Sequence, residues 1–106
     1  MAKYMLEVNY TLEGVKGLKA EGGSARVAAA TALVESVGGT VDAFYFALGG
    51  TDAYVIVDMP DTVSAAAAAL AVNAGGGATT RTVALLTATE ADAAAAKKTL
   101  YRPPGK

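Results

Sequence analysis

Acidic side chains and one arginine alternate with apolar and aromatic residues in the strand-like segments of this chain. Glu7 and Asn9 lie in KYMLEVNYT, Asp42 in TVDAFYFAL, Asp58 in AYVIVDM and Arg81 in TTRTVALLT. Carboxylates that lie close together can act as general acid and base, because burial and mutual repulsion raise one pKa. An arginine can bind an anionic ligand through two parallel hydrogen bonds. The same groups can form structural ion pairs instead, which we favour for the carboxylates and leave open for Arg81.

The composition excludes several kinds of site. The chain contains no histidine and no cysteine, which rules out a Ser-His-Asp triad, a cysteine nucleophile, a structural zinc site and a histidine-ligated haem. No loop has the spacing of a calcium site, and we predict neither a metal nor a cofactor. A formal net charge of -1 offers no electrostatic attraction for nucleic acid or for an anionic membrane surface.

The hydrophobic periodicity predicts strands and helices in alternation. Strands are predicted at residues 3–11, 40–48, 53–59 and 79–87, helices at 25–37, 62–74 and 87–98, a glycine-punctuated connection at 14–23 and an irregular tail at 99–106. Ser24 and Asp61 are suited to cap the first two helices, and Thr87 with Glu90 has the capping-box spacing for the third. The two prolines of YRPPGK prevent that helix from continuing.

This order is the ferredoxin-like βαββαβ pattern with an extra C-terminal helix. The sequence therefore predicts a single α+β domain, residues 1–106, in which the two main helices cover one face of a four-stranded antiparallel sheet. The N-terminus enters a strand pattern without a basic and then apolar leader, and no apolar window is long enough to span a bilayer. We therefore expect a bacterial-type cytoplasmic protein.

Strict alternation divides the strand residues between two faces of the sheet. The helix-covered face is predicted to carry an apolar set: Tyr4, Leu6, Val8, Tyr10, Val41, Ala43, Tyr45, Ala53, Val55, Val57, Thr80, Thr82, Ala84 and Leu86. The other face is predicted to carry Met5, Glu7, Asn9, Asp42, Phe44, Phe46, Tyr54, Ile56, Asp58, Thr79, Arg81, Val83 and Leu85. A contiguous patch of large apolar side chains usually marks an interface or a pocket, so this second face requires a cover.

We expect a second copy of the chain to provide that cover, sheet against sheet, in a two-fold dimer or a larger homo-oligomer. Such a dimer, similar to a dimeric α+β barrel, leaves room for a small, partly apolar and anionic ligand between the sheets. The predicted ligand-binding residues are Glu7, Asn9, Phe44, Phe46, Tyr54, Asp58 and Arg81.

Several segments of the chain resemble the GYD-domain family of small bacterial proteins. They are VNYT at residues 8–11, Gly14, the Gly38-Gly39 pair and FYFALGGTDAYVIVDMPD at residues 44–61. Thr51 stands where the family has tyrosine, Asp58 stands where it usually has glutamate, and the arginine of the last strand is displaced by two positions. The resemblance implies a ferredoxin-like domain that associates into dimers or larger rings, and it implies no particular activity.

Three hypotheses about function follow. The favoured one is a non-catalytic, homo-oligomeric module that binds a small ligand. The second is a cofactor-independent oxygenase or isomerase of the dimeric-barrel type, with Glu7 or Asp58 as the base and Arg81 or Tyr54 stabilising an oxyanion. It lacks a histidine, the base most easily tuned to neutral pH. The third is a purely structural oligomer in which the ion pairs set the specificity of pairing.

Overall fold

The computed structural model describes all 106 residues and contains four strands and four helices. Their bounds in chain order are β1 (Ala2–Tyr10), α1 (Leu12–Glu21), α2 (Gly23–Ser36), β2 (Thr40–Phe46), β3 (Ala53–Met59), α3 (Thr62–Ala74), β4 (Ala78–Leu85) and α4 (Ala88–Ala96). The predicted α+β class, with an element order compatible with a ferredoxin-like fold, is confirmed. The difference is α1, which lies where a connection was predicted.

The four strands form one antiparallel sheet in the order β2-β3-β1-β4. Helix α2 packs on β2, and α3 packs on β3 and β4. The core lies between these helices and the sheet, where Leu6, Val55 and Val57 meet Val34 and Ala65. Burial alternates along β3 because successive side chains of a strand point to opposite faces.

Helix α1 occupies most of the segment that was predicted as a connection. Its glycines argue against a helix, since each costs about 1 kcal/mol relative to alanine. Gly14, however, lies against the backbone of Gly77, whose carbonyl oxygen would clash with any added Cβ. Thr11 caps the helix by accepting a hydrogen bond from the Gly14 N–H at 3.2 Å. Close packing and a cap thus stabilise a helix whose composition is unfavourable.

The boundary between α1 and α2 is Gly22. Its φ of 87° lies in the left-handed region that favours glycine, and it allows the two helices to meet without a longer loop. Helix α2 then begins at Gly23 without a side-chain cap, so the prediction of Ser24 as the N-cap is wrong. The other predicted caps are confirmed: Asp61 accepts from the Ser64 N–H at 2.7 Å, and Thr87 and Glu90 form the reciprocal capping box.

A β-bulge interrupts the pairing of β2 with β3. Val41 pairs with Val57, whereas Ala43 pairs with Ile56. Asp42 is therefore an extra residue that has no partner across the ladder. Because side chains alternate with period two, one extra residue reverses the faces of everything that follows it in the strand.

The reversal carries the two phenylalanines of β2 to the helix-covered face. Phe44 pairs with Val55 and Phe46 pairs with Ala53, two buried residues of that face. The rings are neighbours, with centroids 5.0 Å apart. The prediction that Phe44 and Phe46 lie on the uncovered face is therefore wrong. Tyr45, which was predicted to be covered, takes the outward position instead.

The face of the sheet without helices, called the open face from here on, has charged ends and an apolar middle. It carries Lys3, Met5, Glu7, Asn9, Thr40, Ala43, Tyr45, Tyr54, Ile56, Asp58, Thr79, Arg81, Val83 and Leu85. The register places Met5 beside Ile56 on one side and Val83 on the other. This apolar row separates a cluster of charges around Lys3 from a second one around Glu7.

Residues 86–106, called the C-terminal arm from here on, extend away from the sheet. Every residue of the arm is exposed, including all of α4. The radius of gyration is 16.7 Å, whereas a compact domain of this length has about 13 Å. The predicted extra helix is present, and the segment predicted as an irregular tail contains no helix or strand.

Candidate functional site

A cavity of about 370 Å³ lies between α2, α3 and the covered face of the sheet. We call it the inner cavity; among its 19 lining residues, 14 are hydrophobic. Leu6, Val8, Phe44 and Val55 form its floor on the sheet, and Leu33 and Val72 belong to its helical walls. A cavity of this volume is large enough to admit a small ligand.

The alanines of α3 explain why this space is open. Ala68, Ala69 and Ala71 line the cavity from that helix, and each contributes only a methyl group to the gap between helix and sheet. Larger side chains at these positions would fill the volume. Gly75 and Gly77, which follow the helix, also line the cavity and add no side chain.

Three polar side chains contribute to the lining of this apolar cavity: Tyr10 of β1, Arg26 of α2 and Thr80 of β4. The hydroxyl oxygen of Thr80 is buried and has no hydrogen-bond partner, which costs about 1–3 kcal/mol in desolvation. Arg26 takes part in none of the chain's three ion pairs. Both groups are therefore available to a ligand.

The electrostatics of the cavity favour an anion. Arg26 is the only charged residue in the lining. It lies in the first turn of α2, which contains no acidic residue and has no side-chain cap. No carboxylate in the lining offsets the guanidinium, so the cavity attracts an anionic ligand.

Tyr10 is held in its neutral form. Partial burial of the phenol raises the pKa of Tyr10, and the nearby Asp52 carboxylate raises it further, while the Arg26 guanidinium lowers it. At neutral pH the hydroxyl is therefore protonated and can donate a hydrogen bond.

On the open face the charges are already paired. The Lys3 ammonium contacts the carboxylate of Asp42 and lies 3.1 Å from the Asp58 carboxylate. The hydrogen bond from Lys3 lowers the pKa of Asp42. The same two carboxylates raise the pKa of Lys3. Asp42 reaches this cluster because it occupies the bulge.

Glu7 and Arg81 form the second charged cluster. Glu7 Oε1 and Arg81 Nη2 are 3.5 Å apart, and the arginine side chain is 70% exposed. Lys3 and Glu7 are four residues apart on β1, so the two clusters are separated by about 13 Å along the strand. Arg81 therefore pairs with Glu7 and not with Asp58.

The structure brings together only some of the predicted site residues. Glu7, Tyr54 and Arg81 are cross-strand neighbours on the open face, and Asn9 lies two residues further along β1. Asp58 is at the opposite end of that face. Phe44 and Phe46 lie on the other side of the sheet, and Phe44 lines the inner cavity.

Sequence analysis missed the polar groups of the cavity and the role of Lys3. Arg26 shares the helical spacing of its neighbours in the lining: it lies three, four and seven residues before Ala29, Ala30 and Leu33. The one positively charged residue in an otherwise apolar helical spacing was the sign of this site that the sequence offered. Thr80 was assigned to the covered face, where a hydroxyl among apolar residues is also a signal.

Asp52 has a structural role. Its carboxylate accepts a hydrogen bond from the Tyr10 N–H at 2.9 Å, and its own N–H donates to the Val8 carbonyl at 2.9 Å. The turn between β2 and β3 is thereby tied to β1. Thr51 beside it is buried. This tie holds the turn within residues 44–61, one of the segments on which the resemblance described above rests.

A comparison with family models shows which family the chain belongs to. The model of the GYD domain matches residues 4–95. The chain belongs to the GYD domain family. The match includes the sheet, α1 to α3 and most of α4, so both the inner cavity and the open face lie within the GYD domain. Searches of curated proteins and of solved structures find no match. None of its helices combines the length and the hydrophobicity needed to cross a membrane.

Proposed function

We propose that this GYD domain is a homo-oligomeric binding module that holds a small, partly apolar anion in the inner cavity. The observation that carries the proposal is a cavity of about 370 Å³ in which Arg26 is the single charged group and the Thr80 hydroxyl has no partner. Pockets for small ligands have volumes of roughly 300–1,000 Å³ and combine apolar walls with few polar groups. The cavity fits the lower end of this range.

The lining indicates the chemistry of the ligand. Its apolar part would pack on Phe44, Leu33 and Val72. Its anionic group would pair with Arg26, whose guanidinium can bind a carboxylate through two hydrogen bonds. The Thr80 hydroxyl can donate to or accept from a further polar atom of the ligand. A short-chain or aromatic carboxylate has these properties.

The arrangement supports binding better than general acid–base catalysis. No carboxylate lines the inner cavity, and Glu7 and Asp58, the bases considered above, lie on the opposite face of the sheet. Besides Arg26, Tyr10 is the only titratable group in the lining, and its raised pKa makes it a hydrogen-bond donor at neutral pH. An enzyme of the dimeric-barrel type would need a base within reach of its substrate.

Self-association is the second part of the proposal. The open face leaves Met5, Ile56, Tyr54 and Val83 partly accessible in the isolated chain. A second copy that packs against them would bury the apolar row and leave the ion pairs at its two ends as a polar rim, the usual anatomy of an interface.

The experiment that tests binding compares two arginine variants. Isothermal titration calorimetry with sodium octanoate measures the affinity of the wild type, of Arg26→Gln and of Arg81→Gln. We expect Arg26→Gln to weaken binding about 10- to 100-fold, because a charged hydrogen bond contributes about 1.5–3 kcal/mol, and Arg81→Gln to leave it unchanged. Octan-1-ol, which lacks the charge, should bind the wild type more weakly than octanoate.

Two results would overturn the location of the site. Equal losses in both variants, or a loss in Arg81→Gln alone, would place the anion on the open face. Absence of octanoate binding, together with no ligand released from the purified protein in native mass spectrometry, would refute the binding function itself.

A further inference from the structure

The C-terminal arm is a folded segment without a surface to pack on. Helix α4 is well capped by Thr87 and Glu90, yet none of its residues is buried. A helix of nine residues is unstable by itself in water, because isolated helices need about 12–15 residues even when rich in alanine. The exposed side chains of the arm include Leu86, Leu100 and Tyr101. We therefore expect the arm to be covered in the assembled protein.

Charge is segregated between the arm and the rest of the chain. Residues 97–106 contain Lys97, Lys98, Arg102 and Lys106 and no acidic residue, a net charge of +4. Glu90 and Asp92 belong to the arm itself, so the arm as a whole has a net charge of +2, and residues 1–85 have 5 basic and 8 acidic residues, a net charge of -3. The end of the arm and the body of the protein are therefore electrostatically complementary.

The open face offers an acidic site next to an apolar surface. Asp42 and Asp58 share Lys3 as their only ion-pair partner, which leaves one negative charge uncompensated. The apolar row with Met5 and Ile56 lies directly beside this cluster. A segment that carries two lysines followed by leucine and tyrosine matches both features.

We propose that the arm of each chain docks on the open face of a second copy. Lys97 and Lys98 lie towards Asp42 and Asp58 of the other chain, and Leu100 and Tyr101 pack on its apolar row. This inference rests on the proposed self-association and adds to it the segment that holds the two copies together. Only two residues connect Leu85 to α4, and no residue of this helix is buried against its own sheet, which favours exchange between chains.

Disulfide formation between two single-cysteine variants tests the exchange, because the chain has no cysteine of its own. Thr99→Cys places a thiol on the arm, and Thr40→Cys places one on the open face, since Thr40 pairs with Asp58. Both substitutions leave the charges intact. The two variants are mixed, equilibrated and oxidised. We expect a mixed disulfide dimer in clear excess over the pair formed with Ala32→Cys, an exposed residue of α2.

Sedimentation velocity of the full chain separates the possible failures. We expect a wild-type dimer that dissociates at concentrations at least tenfold higher when Lys97→Glu and Lys98→Glu are combined, whereas the matched pair Lys16→Glu and Lys19→Glu on α1 has no such effect. A wild-type monomer would refute both the self-association and the arm. A dimer that gives no mixed disulfide and resists charge reversal would refute the arm alone. The arm would also be refuted if the Lys97→Glu, Lys98→Glu variant stayed dimeric and instead lost affinity for a short DNA duplex.

Discussion

The polar groups on the two sides of the sheet differ in whether they have partners. On the open face, Lys3 is paired with Asp42 and Asp58, and Glu7 is paired with Arg81. On the helix-covered side, Arg26 of α2 has no ion-pair partner and the Thr80 hydroxyl of β4 has no hydrogen bond. The more accessible side of the sheet therefore contains the partnered charges, and the drier side contains the unpartnered groups.

This contrast shows which polar groups mark a ligand site. Charges that are already held in ion pairs near water gain little from a small ligand, since an exposed ion pair contributes only about 0–1 kcal/mol. A buried group without a partner costs free energy until something binds it. The candidate site is therefore the inner cavity, although most of the charged strand residues lie on the other side.

The largest difference in effect is expected between two adjacent substitutions that introduce a charge on opposite faces of the sheet. Val57 is fully buried, and Ile56 next to it lies on the open face. Val57→Asp should abolish folding, because a buried charge costs several kcal/mol of a total stability of about 5–15 kcal/mol. Ile56→Asp should leave a folded chain that sediments as a monomer. Circular dichroism and sedimentation velocity measure the two outcomes. A folded Val57→Asp variant would show that the faces are assigned wrongly.

A second pair of substitutions tests the bulge. Phe44→Ala should destabilise the chain by about 2 kcal/mol, less than the 3–5 kcal/mol of a fully buried phenylalanine, because Phe44 is half-buried. Tyr45→Ala should change stability by no more than about 0.5 kcal/mol, since Tyr45 is 71% exposed. Urea denaturation gives both values. If strict alternation held through β2, the order of the two effects would be reversed.

Thr80→Val tests the unpartnered hydroxyl group within the cavity. The substitution removes the unpartnered hydroxyl, so the ligand-free chain should be stabilised by about 0.5–1 kcal/mol. Binding of a ligand that hydrogen-bonds to Thr80 should weaken at the same time. Thermal unfolding with and without octanoate measures the two effects, and Thr82→Val, on the same face but exposed, is the control. A loss of stability in Thr80→Val alone would mean that the hydroxyl has a partner.

The smallest expected effect is the pH-dependent contribution of Asp42, on the open face, to the stability of the chain. The bond from Lys3 lowers the pKa of Asp42, so this carboxylate contributes to stability above its ordinary pKa of about 4. That contribution is lost as the pH falls through the lowered pKa. Asp42→Asn should therefore be slightly less stable than the wild type at neutral pH and equal to it in strong acid. The midpoints of urea denaturation of Asp42→Asn and of the wild type, measured across this pH range, test the expectation. A difference in stability that is constant at every pH would rule out the ion pair as its cause.

Much of the fold was predictable because its signals are local. Alternation indicated the four strands, and Asp61 and the Thr87–Glu90 pair marked two helix starts through side-chain chemistry that the structure confirms. Helix α1 was missed because its stability comes from contact with Gly77, which is distant in sequence. Ser24 was wrongly chosen as a cap because a left-handed glycine can end one helix and start the next without one.

The candidate site was less predictable because it depends on register and on empty space. A single extra residue in β2 places the two phenylalanines on the covered face and Tyr45 on the open face, the reverse of the prediction. Strict alternation offers no way to locate such a residue. The cavity arises from the small volume of alanines in α3, which a sequence pattern shows only as a hydrophobic helix. Self-association, a cytoplasmic location and the lack of a nucleic-acid partner stay predictions.

The bulge at Asp42 also limits what a change of length in the gene would do to this GYD domain. Loss of that one residue, a single codon, would leave Val41 paired with Val57 and Ala43 paired with Ile56, without the extra residue between them. Phe44 and Phe46 would therefore keep facing the helices, and Tyr45 would keep its outward position. The cluster around Lys3 would lose one of its two carboxylates. One small deletion would thus preserve the side of the sheet that is suited to hold a ligand and change only the charge of the outer surface.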